Sequence, residues 1–170
     1  MIKYKISYKP LILFVGINPH NGSYRRGVPF SNNKTLWYLL NRSGLINEKI
    51  DDLREDGNLK KFYEEKFMQK YNYNFINIIE RPTRDTSLLE KGEEKKGVRK
   101  IAGIISRNKP KIVCFIGKVT YARFSGKNDF RLGFQEDIGN AKVFVASFPI
   151  RGAAIVRIRE FRRIARALNV

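Results

Sequence analysis

Cysteine occurs once in the 170 residues, at Cys114, so no intramolecular disulfide and no Cys-based zinc or iron–sulfur site can be built. Histidine also occurs once, at His20, and one His with one Cys is too small a set for a metal centre. No apolar run approaches the roughly 18 residues of a membrane span. The opening Met1-Ile2-Lys3-Tyr4-Lys5 carries no signal-peptide apolar region, and the first apolar stretch, Leu11 to Val15, is short and ends in a glycine. A cytoplasmic protein away from the membrane is expected, nucleoid-associated in a prokaryote. Phosphate-cradling P-loops are missing, and no cofactor or metal is expected. Internal repeats, low-complexity segments and Pro/Ser-rich linkers are missing too, so one domain over residues 1–170, acting as a monomer, is the expectation.

Acidic residues are scarce relative to basic ones: 16 against 34, a formal charge of +18. Such an excess calls for a polyanionic partner, of which nucleic acid is the commonest. It gives affinity for phosphates and says nothing of the chemistry.

The apolar pattern alternates between strands and helices. Leu11-Ile12-Leu13-Phe14-Val15 and Lys111-Ile112-Val113-Cys114-Phe115-Ile116 are near-continuous apolar runs closed by Gly16 and Gly117, as expected of strands buried on both faces. Tyr73 to Ile79 and Lys142 to Ser147 read as two more. Helices are expected from a Ser31 or Asn32 cap to Arg42, over 58–69 with a Leu59, Phe62, Phe67 stripe, from Glu93 to Asn108, and from Lys118 to Phe124. A last helix, Ala154 to Leu168, turns Ile155, Ile158, Phe161, Ala165 and Leu168 inward and Arg157, Arg159, Arg162, Arg163 and Arg166 outward. This is an α/β fold of three layers, α/β/α, around a central four-stranded parallel sheet. In such sheets functional groups gather beyond the carboxyl ends of the strands. Here those loops are 16–32, 80–92, 117 onward and 148–154.

The first loop is the most informative. In Gly16-Ile17-Asn18-Pro19 the glycine permits a tight turn and the proline fixes the backbone beyond Asn18. An amide at this lip is neither base nor nucleophile. It can orient a water through its oxygen and hold a base edge through its NH₂, or it can simply satisfy turn backbone groups.

Gly16-Ile17-Asn18-Pro19, Gly27-Val28-Pro29-Phe30, Leu36-Trp37, Ser43-Gly44-Leu45, Glu80-Arg81-Pro82-Thr83, Ile116-Gly117-Lys118 with Tyr121, and Ile138-Gly139 occur in this order. Together they resemble the mismatch-specific uracil/thymine-DNA glycosylases of the uracil-DNA glycosylase superfamily, and the resemblance covers nearly the whole chain. It implies a uracil-DNA glycosylase-like fold and an enzyme of base excision repair. Such an enzyme bends double-stranded DNA, flips out uracil or thymine mispaired with guanine, and hydrolyses its N-glycosidic bond. Asn18 then matches the residue that positions the attacking water. Phe30 matches the aromatic that stacks on the flipped base, against the plain alternative of a core residue before a helix. Backbone N–H groups near Ile17 and His20 would bind a carbonyl oxygen of the base. The stretch from Glu48 to Tyr71 is longer than the family's usual connection.

Two departures bear on the site. The family commonly has glycine after the motif proline, where this chain has His20; the imidazole would contact a phosphate, the water or the leaving base, or merely fill space. In the last loop, Ser147-Phe148-Pro149-Ile150-Arg151-Gly152, Phe148 falls where bacterial members have the Asn of Asn-Pro-Ser-Gly. Eukaryotic thymine glycosylases have Met-Pro-Ser there and carry an Asn in the second-strand motif, as this chain does at Asn77. Both marks resemble the thymine-acting branch: Phe148 as an apolar pocket wall, Asn77 as reader of the base edge or as a strand-end hydrogen bonder. Ile150 or Arg151 would fill the hole left by the flipped base, Gly152 would let backbone approach DNA, and Lys118 would contact a phosphate. The alternatives are a broader base range that includes hypoxanthine, a non-catalytic mismatch-binding module, and a general nucleotide-binding α/β protein.

Overall fold

The computed structural model describes residues 1–169. Its sheet has five strands, β1 (Ile12–Gly16), β2 (Tyr73–Asn77), β3 (Ile112–Ile116), β4 (Gly133–Ile138) and β5 (Ala141–Ala146), in the order β2-β1-β3-β5-β4. The first three and β5 are parallel; β4 runs antiparallel to β5. The expected four parallel strands are therefore present, and the four-stranded sheet is corrected to five by an edge strand. β4 escaped notice because Gln135, Glu136 and Asp137 give it no apolar run. An edge strand with a solvent-facing side needs none.

Alternate residues of each buried strand serve opposite faces of the sheet. Ile12, Phe14, Tyr73, Phe75, Ile112, Cys114, Phe144 and Ala146 belong to one core. Its cover is α2 (Thr35–Arg42), α3 (Ile50–Arg54), α4 (Asp56–Glu65), α5 (Phe67–Tyr71) and α8 (Ala154–Leu168). Leu13, Val15, Ile76, Val113, Phe115, Val143 and Val145 belong to the other core, under α6 (Lys95–Asn108) and α7 (Lys118–Ser125). The long 48–71 connection thus has a structural task. The helix expected over 58–69 is divided at Lys66, and Phe62, Tyr63 and Phe67 pack around Trp37, with ring centroids 6.0, 6.1 and 5.3 Å away.

Three local expectations change. The 18–32 loop contains a short helix, α1 (Asn21–Arg26), capped by His20, which is not among the usual capping residues. The following helix begins at Thr35 rather than behind a Ser31 or Asn32 cap: Ser31 Oγ donates to Val28 O, and the Asn32 N–H donates to Ser23 Oγ. On α8, Ile155 is exposed and Arg157 is buried, the reverse of the amphipathic reading, because both lie where the helix leaves the sheet beneath the 147–152 loop. No described helix is long and apolar enough to cross a membrane.

Candidate active site

β1 ends at Gly16, paired in register with Asn77 at the end of β2. Beyond this lip the chain turns through Ile17 and Asn18, and three groups from the 80–93 loop hold the turn. The Thr83 N–H donates to Pro19 O at 3.1 Å and the Asn21 N–H to Thr83 O at 3.1 Å, a parallel bridge between His20 and Thr83. The Asn18 side-chain NH₂ donates to Thr83 Oγ1 at 2.8 Å and to Arg81 O at 3.1 Å. Thr83 Oγ1 in turn donates to Asp85 O at 2.9 Å. With the NH₂ committed, Asn18 Oδ1 has no protein donor among the described residues and is left open to solvent. It is an acceptor held rigidly by its other end, which is what orienting a water requires.

Arg81 is itself fixed, by paired contacts to the Glu93 carboxylate at 2.7 and 2.8 Å and a bond to Leu88 O. The Arg81 guanidinium pulls the Glu93 carboxyl down to about 2, so the pair stays ionised at neutral pH. Thr83 was quoted only as part of a motif in the sequence reading, without a role. Its part was hidden because its partners lie more than sixty positions away, Asn18 at a separation of 65.

His20 accepts the Gly22 N–H on Nδ1 at 3.0 Å. In the neutral ring this leaves the proton on Nε2, a donor. The lone pair that a general base would use at Nδ1 is occupied. Ile17 is buried at the turn, and its carbonyl accepts the Ile79 N–H.

Asn77 is 4% exposed; its NH₂ donates to Tyr4 Oη at 2.7 Å, and its Oδ1 has no partner. That oxygen lies 2.3 Å from where a Cβ on Gly16 would be, and Phe30 Cε2 lies 3.2 Å from the same point. Only glycine at position 16 leaves this space open. Phe30 takes a left-handed backbone, φ 52°, which a bulky residue adopts only when its surroundings impose it. They do so here through Trp37 Nε1 donating to Pro29 O and Ser31 Oγ donating to Val28 O. The Phe30 ring lies 5.5 Å from Phe75 and 6.2 Å from Phe148, and Phe148 is 40% exposed over Gly117. Asn18, Ile17, His20, Phe30, Asn77 and Phe148 therefore come together at one end of the sheet.

The last loop carries Ile150 and Arg151 outward, both exposed, on a turn closed by the Arg151 N–H donating to Phe148 O. Two buried charges on α8 strap its ends. Glu160 accepts from Ser147 N–H and Oγ–H at 3.0 and 2.7 Å, and Arg157 Nη1 donates to the carbonyls of Arg151 and Gly152. Neither residue was anticipated; the expectation that Arg157 faces solvent is corrected, since those two carbonyls draw it under the loop. Replacing Arg157 by alanine should expose both carbonyls and cost about 1–3 kcal/mol. Chemical denaturation would measure the loss, and faster amide exchange at 150–152 would localise it.

Lys118 is exposed in the first turn of α7, behind Gly117, whose φ of 96° suits glycine and which offers no side-chain cap. The free backbone N–H groups and the lysine make this end attractive to an anion. A family model of the uracil DNA glycosylase superfamily matches residues 4–158.

The chain belongs to the uracil-DNA glycosylase superfamily.

Members of this superfamily are DNA glycosylases, hydrolases that act on DNA, and the +18 charge agrees with such a substrate. The match begins at Tyr4, so the N-terminal segment that reaches Asn77 lies within the superfamily's boundaries. The five-stranded, mostly parallel sheet between helices is consistent with the superfamily's fold.

Proposed function

We propose that the protein is a monofunctional DNA glycosylase that hydrolyses the N-glycosidic bond of uracil or thymine mispaired with guanine, working as a monomer on double-stranded DNA in the cytoplasm. The observation that carries the reading is the pair of side-chain oxygens at the Gly16 lip: Asn18 Oδ1 open to solvent and Asn77 Oδ1 buried without a donor. One suits a water, the other a base edge.

In this mechanism the flipped base enters between Phe30 and Phe148, and its ring N–H donates to Asn77 Oδ1. Phe148 gives the thymine methyl an apolar wall. Asn18 Oδ1 accepts a hydrogen bond from water and holds its oxygen toward C1′ of the sugar. The C1′–N bond breaks with its electron pair going to the base, and the water oxygen bonds to the oxocarbenium-like carbon. The water proton then passes to solvent, since Asn18 is no base. His20 Nε2–H and nearby backbone N–H groups stabilise the charge that develops on the departing base. Ile150 or Arg151 fills the gap in the duplex, Gly152 lets the loop approach it, and Lys118 holds a phosphate. Flipping costs a few kcal/mol and least at a mispair, which supplies part of the selectivity.

The test is alkali cleavage of duplexes carrying uracil, thymine or hypoxanthine opposite each of the four bases. Cutting of uracil and thymine opposite guanine, with uracil opposite adenine much slower, is the expected pattern. Cutting of hypoxanthine would widen the base range. No cutting of any duplex would sink the glycosylase reading and leave a mismatch-binding module.

A further inference from the structure

We propose that Tyr4 is a positioning residue that fixes the Asn77 amide with its acceptor toward the base, so that the pocket selects bases offering a ring N–H. The inference rests on the base-pocket reading above and deepens it to a rule of base choice. An amide presents an acceptor on one side and a donor on the other, and a half-turn exchanges them. Two neighbours decide between the orientations here. Tyr4 Oη accepts from Asn77 Nδ2 at 2.7 Å. On the other side Oδ1 faces the Gly16 Cα, 2.3 Å from where a Cβ would stand. A Cα–H suits an oxygen there, whereas a turned NH₂ would press hydrogen against hydrogen.

Tyr4 is held in place independently of Asn77. Tyr63 Oη donates to Lys3 O at 2.7 Å, the Ser7 N–H donates to Asn74 Oδ1 at 2.8 Å, and Asn108 Nδ2 donates to Ser7 O at 3.0 Å. The N-terminal segment is thereby strapped along β2, the edge strand that ends in Asn77. Burial raises the Tyr4 phenol above its usual range, so the hydroxyl stays protonated at physiological pH. The orphaned Asn77 Oδ1 is then an acceptor waiting for a donor. Uracil and thymine supply N3–H, and hypoxanthine supplies N1–H. Cytosine presents a lone pair at N3 and meets Asn77 lone pair to lone pair.

Tyr4→Phe removes the anchor while keeping the ring. In single-turnover assays it should slow uracil release several-fold and raise cytosine release from a C·A mispair above the wild-type level, narrowing the uracil-to-cytosine ratio at least tenfold. Tyr63→Phe loosens the same segment without touching Asn77 and should leave the ratio unchanged. Equal losses on both bases, or an equal change in the Tyr63 variant, would mean that Tyr4 merely supports the fold and would overturn the proposal. A second measurement does not depend on catalysis. The Asn77 side-chain NH₂ resonances, assigned by their loss in Asn77→Asp, should exchange with solvent at least tenfold faster in Tyr4→Phe. Identical exchange overturns the inference even if the protein releases no base. Faster exchange in a protein that releases none would fault the glycosylase reading and keep the amide anchor.

Discussion

Replacing Asn18 by alanine is expected to lower the rate constant for base release by roughly 10²–10⁴-fold, with Tm and affinity for mispaired DNA little changed. The size follows from what the side chain is asked to do. It supplies no proton and no bond to the substrate; it holds one water in line with C1′. Loss of such positioning is costly because the water must then be found from bulk at the moment the glycosidic bond opens. The fold should tolerate the change, since the Asn18 side chain is half-buried and the turn keeps its backbone bridge to Thr83. Thr83→Val offers a graded control. It removes the 2.8 Å bond to Asn18 Nδ2 but leaves the bond to Arg81 O, so the amide is loosened rather than lost. A tenfold fall in kcat is expected there. Single-turnover excision read beside thermal melting separates the two effects. An Asn18→Ala protein that cuts at the wild-type rate would reject the water-positioning mechanism.

Much of the sheet was legible because β1 and β3 must be apolar on both faces, a pattern that few other elements produce over so short a run. β4 was not, although its hairpin carries a signal: Gly139-Asn140 joins β4 to β5, with Gly139 at φ 58°, the left-handed geometry that tight hairpins demand. The Gly16, Asn18, Phe30, Asn77 and Phe148 set could be named from residue types and order. What held each of them could not. Asn18 is fixed by Thr83 and Asn77 by Tyr4, at separations of 65 and 73, and neither pair leaves a periodic trace in the sequence. His20 shows the same limit from the other side. A lone histidine beside the motif invites a catalytic reading, yet its Nδ1 is engaged as the cap of α1, and only the opposite nitrogen remains for a substrate.

Gly16→Ala should prove nearly as damaging as loss of Asn18, at a site that contributes no functional group. A Cβ there would stand 2.3 Å from Asn77 Oδ1 and 3.2 Å from Phe30 Cε2, and neither neighbour can retreat. Asn77 is buried and tied at its other end to Tyr4. Phe30 is held in its left-handed backbone by the bonds that fix Pro29 and Ser31 on either side. The methyl would therefore displace the Asn77 amide and occupy the space that a base edge needs. Overpacking of this kind costs about 1–3 kcal/mol of stability. The loss of excision is expected to be far larger, at least about 10²-fold, since a misplacement near 1 Å is enough for that. Duplexes already bearing an abasic site offer no base to the pocket, and their binding should survive through Lys118, the Ile150–Gly152 loop and the basic surface. Retained binding to the abasic duplex with excision abolished would locate the base at the Gly16 lip. Wild-type excision by Gly16→Ala would move the pocket elsewhere and take the proposed roles of Phe30 and Asn77 with it.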